Sequence, residues 1–210
     1  MQRISIFGDV GLSVTVDGVK AQLEQLERSQ PVTVEINSDG GSVSEAIAIY
    51  NLLRTWPAGV DVEIIGWALS AATIIAMAGR TIRAHETSLL MVHAPWVSTS
   101  GNSSDLRERA DMLDQVAATM RSAYARTRQS AKVIDGWLDG TDHWMTADEA
   151  LALGLIDEII TATERAAAQV DVRACRFPVP APLQQRIFAM PSPTLPNEAD
   201  IRAAALRADQ

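Results

Sequence analysis

Four places in the chain carry residues that could do chemistry together. Ser70 stands just before a small-residue run, Ala71-Ala72, and His93 closes the apolar stretch Leu89-Leu90-Met91-Val92. Asp139 and Asp142 lie in a polar loop, and Asn37-Ser38-Asp39-Gly40-Gly41 ends a β-branched run. A hydroxyl, an imidazole, a carboxylate and backbone N–H donors are the parts that acyl transfer such as peptide hydrolysis requires. Each part also has a structural reading. A serine before a helix serves as an N-cap, a strand-end histidine is satisfied by one backbone partner, and Asp-Gly-Gly makes a tight turn.

Other chemistries fit less well. The G-x-S-x-G elbow of α/β-hydrolases is not matched around Ser70, and the glycine loop lacks the Lys-Ser/Thr ending of a P-loop. No H-E-x-x-H stretch or cysteine pair is present, so neither a metal nor a cofactor is expected. The chain has three histidines. His85 reads as a turn residue beside Glu86, and His143 as a loop residue next to a candidate acid. The lysines, Lys20 and Lys132, fall on the first helix and beyond the long helix, which argues against a Ser-Lys mechanism.

The surrounding pattern shows how these residues would be positioned. Strands are expected at 3–7, 32–36, 60–65, 81–84 and 88–92, with a last one in Leu155–Ile160. Helices alternate with them. The first is capped by Asp17 and carries Val19, Leu23 and Leu26 on one face; the second turns Val43, Ile47, Tyr50 and Leu53 inward; the third spans 71–78. This alternation predicts βαβ units and a mainly parallel sheet, with sites assembled at strand ends. Ser70 would then sit with its hydroxyl near the positive end of a helix, and Ala71 could offer its N–H to an oxyanion. The glycine backbone at Gly40-Gly41 is a second natural donor.

From about Ser103 to Arg128 the pattern predicts one long helix, with Leu106, Ala110, Leu113, Ala117, Met120 and Tyr124 as a core or subunit-interface stripe. A short helix at 147–153 ends at Gly154. The segment 161–210 holds six of the nine prolines and an Ala-rich piece, and reads as a mobile tail with a short helix at 199–208. The chain is therefore divided into a domain over 1–160 and a tail over 161–210.

Bulk properties narrow the class. A formal net charge of -8 excludes a general nucleic-acid binder. The start, MQRISIFGDV, lacks the charged-then-apolar pattern of a signal peptide, and the apolar stretch Ile64–Gly79 is short for a membrane span. Cys175 is the sole cysteine, which suits a reducing cytoplasm.

Taken in order, four segments resemble the Clp protease proteolytic subunit family, the ClpP-like serine peptidases. They are Ile36-Asn37-Ser38-Asp39-Gly40-Gly41-Ser42-Val43, Gly66-Trp67-Ala68-Leu69-Ser70-Ala71, Met91-Val92-His93-Ala94-Pro95, and Asp142-His143-Trp144-Met145-Thr146-Ala147-Asp148-Glu149-Ala150 with Gly154-Leu155-Ile156-Asp157. The resemblance implies an α/β fold of the ClpP/crotonase type, a repeated βαβ superhelix with a protruding handle helix at about 103–140. It implies Ser70 as nucleophile, His93 as general base and acid, Asp142 (with Asp139 the nearby alternative) as the orienting carboxylate, and Gly41 and Ala71 as oxyanion-hole donors. It also implies a ring-shaped homo-oligomer, as a heptameric ring or double ring, that acts on protein or peptide substrates without a cofactor.

Three departures shift the expectation within the family. Asp39 replaces a proline, the first strand begins almost at Met1, and Trp96-Val97-Ser98-Thr99-Ser100-Gly101-Asn102 replaces a glycine pair. This version looks more like phage and prophage Clp-type peptidases of head maturation, with a scaffold or capsid precursor as substrate in a bacterial host cytoplasm. Partnership with a Clp-type ATPase is left open. The rival readings are a housekeeping Clp subunit that works with such an ATPase, a crotonase-type acyl-CoA enzyme, and a non-catalytic assembly subunit.

Overall fold

A computed structural model of the chain describes residues 2–161. The proposed tail beyond Thr161, including Cys175 and the helix expected at 199–208, lies outside the described residues.

Three βαβ repeats open the fold: β1 (Gln2–Phe7), α1 (Val16–Glu24), β2 (Val32–Ser38), α2 (Val43–Arg54), β3 (Val60–Leu69), α3 (Ala71–Ala76) and β4 (Ile82–His85). β5 (Leu89–Val92), the long α4 (Ser103–Tyr124), α5 (Ala131–Trp137), β6 (His143–Thr146), α6 (Ala147–Ala152) and β7 (Glu158–Ile160) follow. The main sheet runs β1-β2-β3-β4-β7, all parallel. β5 branches from the upper end of β3, and β6 pairs antiparallel to β5.

Alternation in the strands decides which face is covered. Val32, Val34 and Ile36 of β2 and Val60, Val62 and Ile64 of β3 are buried and pack with Ala46, Ile49 and Leu53 of α2 and the whole of α3. The intervening Glu35, Glu63 and Arg83 occupy neighbouring rungs on the opposite face. Arg3 bridges to Glu35 there.

Several local expectations change. Thr15, not Asp17, caps α1 by accepting from the Gly18 N–H, and Asp17 lies in the first turn. α2 is rotated from the expected face: Ala46, Ile49 and Leu53 are buried, while Val43, Ile47 and Tyr50 are half-buried. A small alanine allows the helix to approach the sheet, and apolar size alone hides that choice. β3 does not stop at 65 but continues to Leu69 because β5 supplies it with a new partner past Gly66. His85 is the last residue of β4, bonded to Glu63 Oε1 at 3.2 Å, and not a turn residue. His143 opens a strand that local sequence does not signal, and the long helix stops at Tyr124, short of the expected Arg128, with the separate α5 following it.

α4 begins with a capping box between Asn102 and Asp105. Only its C-terminal half meets the core: Ala117, Met120, Ala123 and Tyr124 are buried. Leu106 and Ala110, the start of the expected stripe, stand in solvent, as does Met112. Among the described residues no helix is long and apolar enough to cross a membrane.

Candidate active site

The upper end of β3 is where the sheet changes partners. β2 slips register between Ile36 and Ser38, and the Asn37 side chain fills the gap by accepting from the Trp67 N–H at 3.0 Å. Ser38 Oγ donates to the Gly8 carbonyl at 2.6 Å and accepts from the Gly40 N–H at 3.1 Å. These two side chains fold the loop so that Gly40 lies on the Ser70 turn. A Cβ on Gly40 would stand 2.5 Å from the Leu69 carbonyl oxygen and 2.9 Å from the Ala71 nitrogen. Gly41 is held from behind by Val10, whose N–H donates to the Gly40 carbonyl and whose carbonyl accepts from Ser42, both at 2.8 Å.

Ser70 occupies the N-cap position of α3, yet its side chain makes no capping bond. Its backbone is in a left-handed conformation, φ 52° and ψ −124°, which costs a non-glycine residue about 1–3 kcal/mol. Two bonds hold it there. The Ser70 N–H donates to the Met91 carbonyl at 2.7 Å, and the Ser70 carbonyl accepts from Thr73 Oγ1 at 2.6 Å. Thr73 has given its hydroxyl proton, so its oxygen accepts from Tyr124 Oη at 2.7 Å. Tyr124 is fully buried at the inner end of α4, and burial pushes its phenol up, outweighing the hydrogen bond to Thr73.

The turn directs Ser70 Oγ away from the helix and to His93 Nε2, 2.7 Å away. His93 Nδ1 in turn lies 3.0 Å from Asp142 Oδ1. The register of β5 against β6 explains this meeting. Val92 pairs with His143, so one step further sets His93 opposite Asp142. Both Ser70 and His93 are buried, whereas the Asp142 side chain is 35% exposed. Gly41, Val43, Ser70, Ala71, His93, Pro95, Trp96 and Met120 line one cleft.

Of the residues singled out in the sequence, Ser70, His93 and Asp142 are brought into one hydrogen-bonded chain, with Gly41 and Ala71 beside them. Asp139 is not part of it. Its carboxylate faces the other way, bonding Thr141 and His143. The Thr141 hydroxyl first, and then His143, hold the Asp139 carboxyl down at about 2. Sequence reasoning placed the Asn37–Gly41 loop at the site for its glycine backbone but missed the bonds that Asn37 and Ser38 make there, and it missed Thr73 and Tyr124. The Asn-Ser pair before the glycines carried a usable signal, since both side chains bond nearby backbone in loops. Thr73 and Tyr124 carried none, being 51 positions apart.

No group of His, Cys, Asp or Glu among the described residues is arranged to hold a metal ion. A hydroxyl–imidazole–carboxylate order is the arrangement that acyl transfer through a serine requires. Comparison with known proteins agrees. A family model described as Clp protease matches residues 4–163. The chain is 33% identical over 168 residues to the ATP-dependent Clp protease proteolytic subunit 2 of Thermobifida fusca, covering 77% of this chain and 82% of that protein. It is 31% identical over 166 residues to proteolytic subunit 3 of Streptomyces coelicolor, covering 76% of each. The chain belongs to the Clp protease family and is a serine peptidase of the ClpP type.

Proposed function

We propose that the chain is a serine endopeptidase that cleaves peptide bonds through an acyl-enzyme on Ser70, with His93 and Asp142 completing the triad. The observation that carries this reading is the 2.7 Å contact between Ser70 Oγ and His93 Nε2, made by a serine whose hydroxyl is withheld from helix capping. In the first step Ser70 Oγ attacks the scissile carbonyl while His93 Nε2 takes its proton. Asp142 keeps the proton on Nδ1 and stabilises the imidazolium. The N–H groups of Gly41 and Ala71 receive the developing oxyanion; Ala71 opens α3, where an N–H has no intrahelical acceptor. His93 then returns the proton to the leaving amine, and water, deprotonated by the same imidazole, releases the acyl group and regenerates Ser70.

The biological setting is a finer matter. We assign the chain to phage or prophage head maturation, acting on a scaffold or capsid precursor in a bacterial host cytoplasm. The Trp96–Asn102 segment supports this, since it sets the exposed Trp96 against the cleft where the family resemblance expects glycines. A second reading is favoured by the two curated relatives, whose names describe ATP-dependent proteolysis. In either setting the chain works as a ring-shaped homo-oligomer, with α4 as the handle; the exposed apolar Leu106 and Met112 on its outer half support that assembly.

A fluorophosphonate probe followed by peptide mapping tests the chemistry. One adduct on Ser70 that is lost in His93→Ala is the expected result, with peptide turnover reduced about 10⁶-fold in Ser70→Ala. Turnover retained by folded Ser70→Ala overturns the assignment. Stimulation of proteolysis by an added Clp-type ATPase would decide for the second setting.

A further inference from the structure

Asp142 has little of its own to hold it. Among the described residues its carboxylate makes one hydrogen bond, to His93 Nδ1, and a third of the side chain faces solvent. An orienting carboxylate in that position must take its direction from the backbone that carries it.

That backbone is tied on the opposite side. Asp139 Oδ1 accepts three bonds, from the Thr141 N–H at 2.9 Å, from Thr141 Oγ1 at 2.7 Å and from His143 Nε2 at 3.0 Å. Thr141 Oγ1 also lies 3.1 Å from His143 Nε2. The Thr141 hydroxyl has one proton, and it goes to Asp139. His143 therefore carries its proton on Nε2 and shares it between the carboxylate and the Thr141 oxygen. Residues 141 and 143 alternate with 142, so a knot that gathers 141 and 143 on one side turns 142 to the other. The other side is where His93 waits. Gly140, at φ +96°, makes the reversal that lets Asp139 reach back.

We propose that Asp139, Thr141 and His143 form a clasp that positions Asp142 against His93, which makes Asp139 and His143 positioning residues of the peptidase. The inference rests on the triad reading above.

The test compares Asp139→Ala, Asp139→Asn and Asp142→Asn in the full chain, with oligomer size and circular dichroism checked for each. Asp139→Asn keeps an oxygen acceptor at the same place and so keeps the clasp. Asp139→Ala is expected to lose about tenfold in kcat with KM unchanged, as displacement of one catalytic group by a fraction of an ångström does. The acid limb of the kcat/KM profile is recorded for each variant as well, because a merely structural role would leave it unmoved. Asp139→Asn is expected to remain within about threefold of the wild type. His143→Ala should repeat the alanine result on a separate residue. If Asp139→Ala and His143→Ala keep both kcat and the acid limb while Asp142→Asn loses roughly 10⁴-fold, the clasp is overturned and the triad stands. An Asp139→Asn loss as deep as that of Asp139→Ala also overturns it, since geometry would not be what matters. If wild type neither turns over peptide nor labels at Ser70, or Asp142→Asn is unimpaired, the triad reading fails first and the clasp falls with it.

Discussion

The two ends of the hydrogen-bonded chain at the cleft are held by different means. At the serine end, Ser70 is 8% exposed and every residue of α3 behind it is buried. Its N–H, carbonyl and hydroxyl each have a partner, and Gly40 packs on the turn at van der Waals limits. At the acid end, the residues from Asp139 to Asp142 stand at the surface, and a Cβ on Gly140 would meet nothing within 4 Å. The first end stores backbone strain and needs a packed core to keep it. The second carries a group that must only point correctly, and a turn made of short polar side chains is sufficient for that.

Two glycines with positive φ put this contrast to its strongest test. Gly40→Ala forces a methyl into the backbone of Leu69, Ser70 and Ala71, which cannot yield without moving the Ser70 side chain. It should reduce kcat/KM by about 10²-fold or more. Gly140→Ala at φ +96° meets only intrinsic left-handed strain, about 1–2 kcal/mol, in open space. Its activity should stay within about tenfold of the wild type. Equal losses, measured on one peptide substrate, would mean that the acid end is as tightly constrained as the nucleophile.

A smaller effect sharpens the account of the buried end. Thr73→Val replaces the hydroxyl between Ser70 and Tyr124 with a methyl of similar shape. It removes one of the two bonds to the Ser70 carbonyl, which keeps the residue-73 N–H at 3.0 Å, and leaves the Tyr124 hydroxyl buried without its partner, at a cost of about 1–3 kcal/mol. The urea midpoint should fall and Ser70 labelling should slow, while Thr73→Ser restores both. Unchanged labelling in a destabilised Thr73→Val would confine the threonine to stability and separate it from the Ser70 turn.

Much of this arrangement was readable from residue types. The β-branched runs at 32–36 and 60–65 announced the central strands, and the segments around Gly41, Ser70, His93 and Asp142 announced the site. What stayed hidden depends on partners distant in sequence. β3 extends to Leu69 only because β5 lies beside it, and β6 exists as a strand only through its pairing with β5. The same pairing sets Asp142, one step before His143, opposite His93 and leaves Asp139 away from it, a placement no loop alignment resolves. The face of α2 was misjudged because the sheet accepts Ala46 at close approach and leaves Ile47 half-buried.

The smallest predicted effect concerns the acid end alone. Asp139 is depressed to about 2 from the model-peptide range by the Thr141 hydroxyl and then His143. A carboxyl lowered in the folded state contributes stability above its unfolded pKa, and that contribution disappears as pH falls through the folded value. The window therefore lies between about pH 4 and pH 2. Because the side chain is 48% exposed, solvent screens much of the effect, and other carboxylates titrate over the same range. The informative quantity is the difference between wild type and Asp139→Asn, which has no proton to gain. That difference in urea midpoint should be largest at pH 5 and shrink toward pH 2. A constant difference across the window would mean that the turn does not favour the ionised carboxylate over a neutral acceptor, and the clasp would then act through geometry alone.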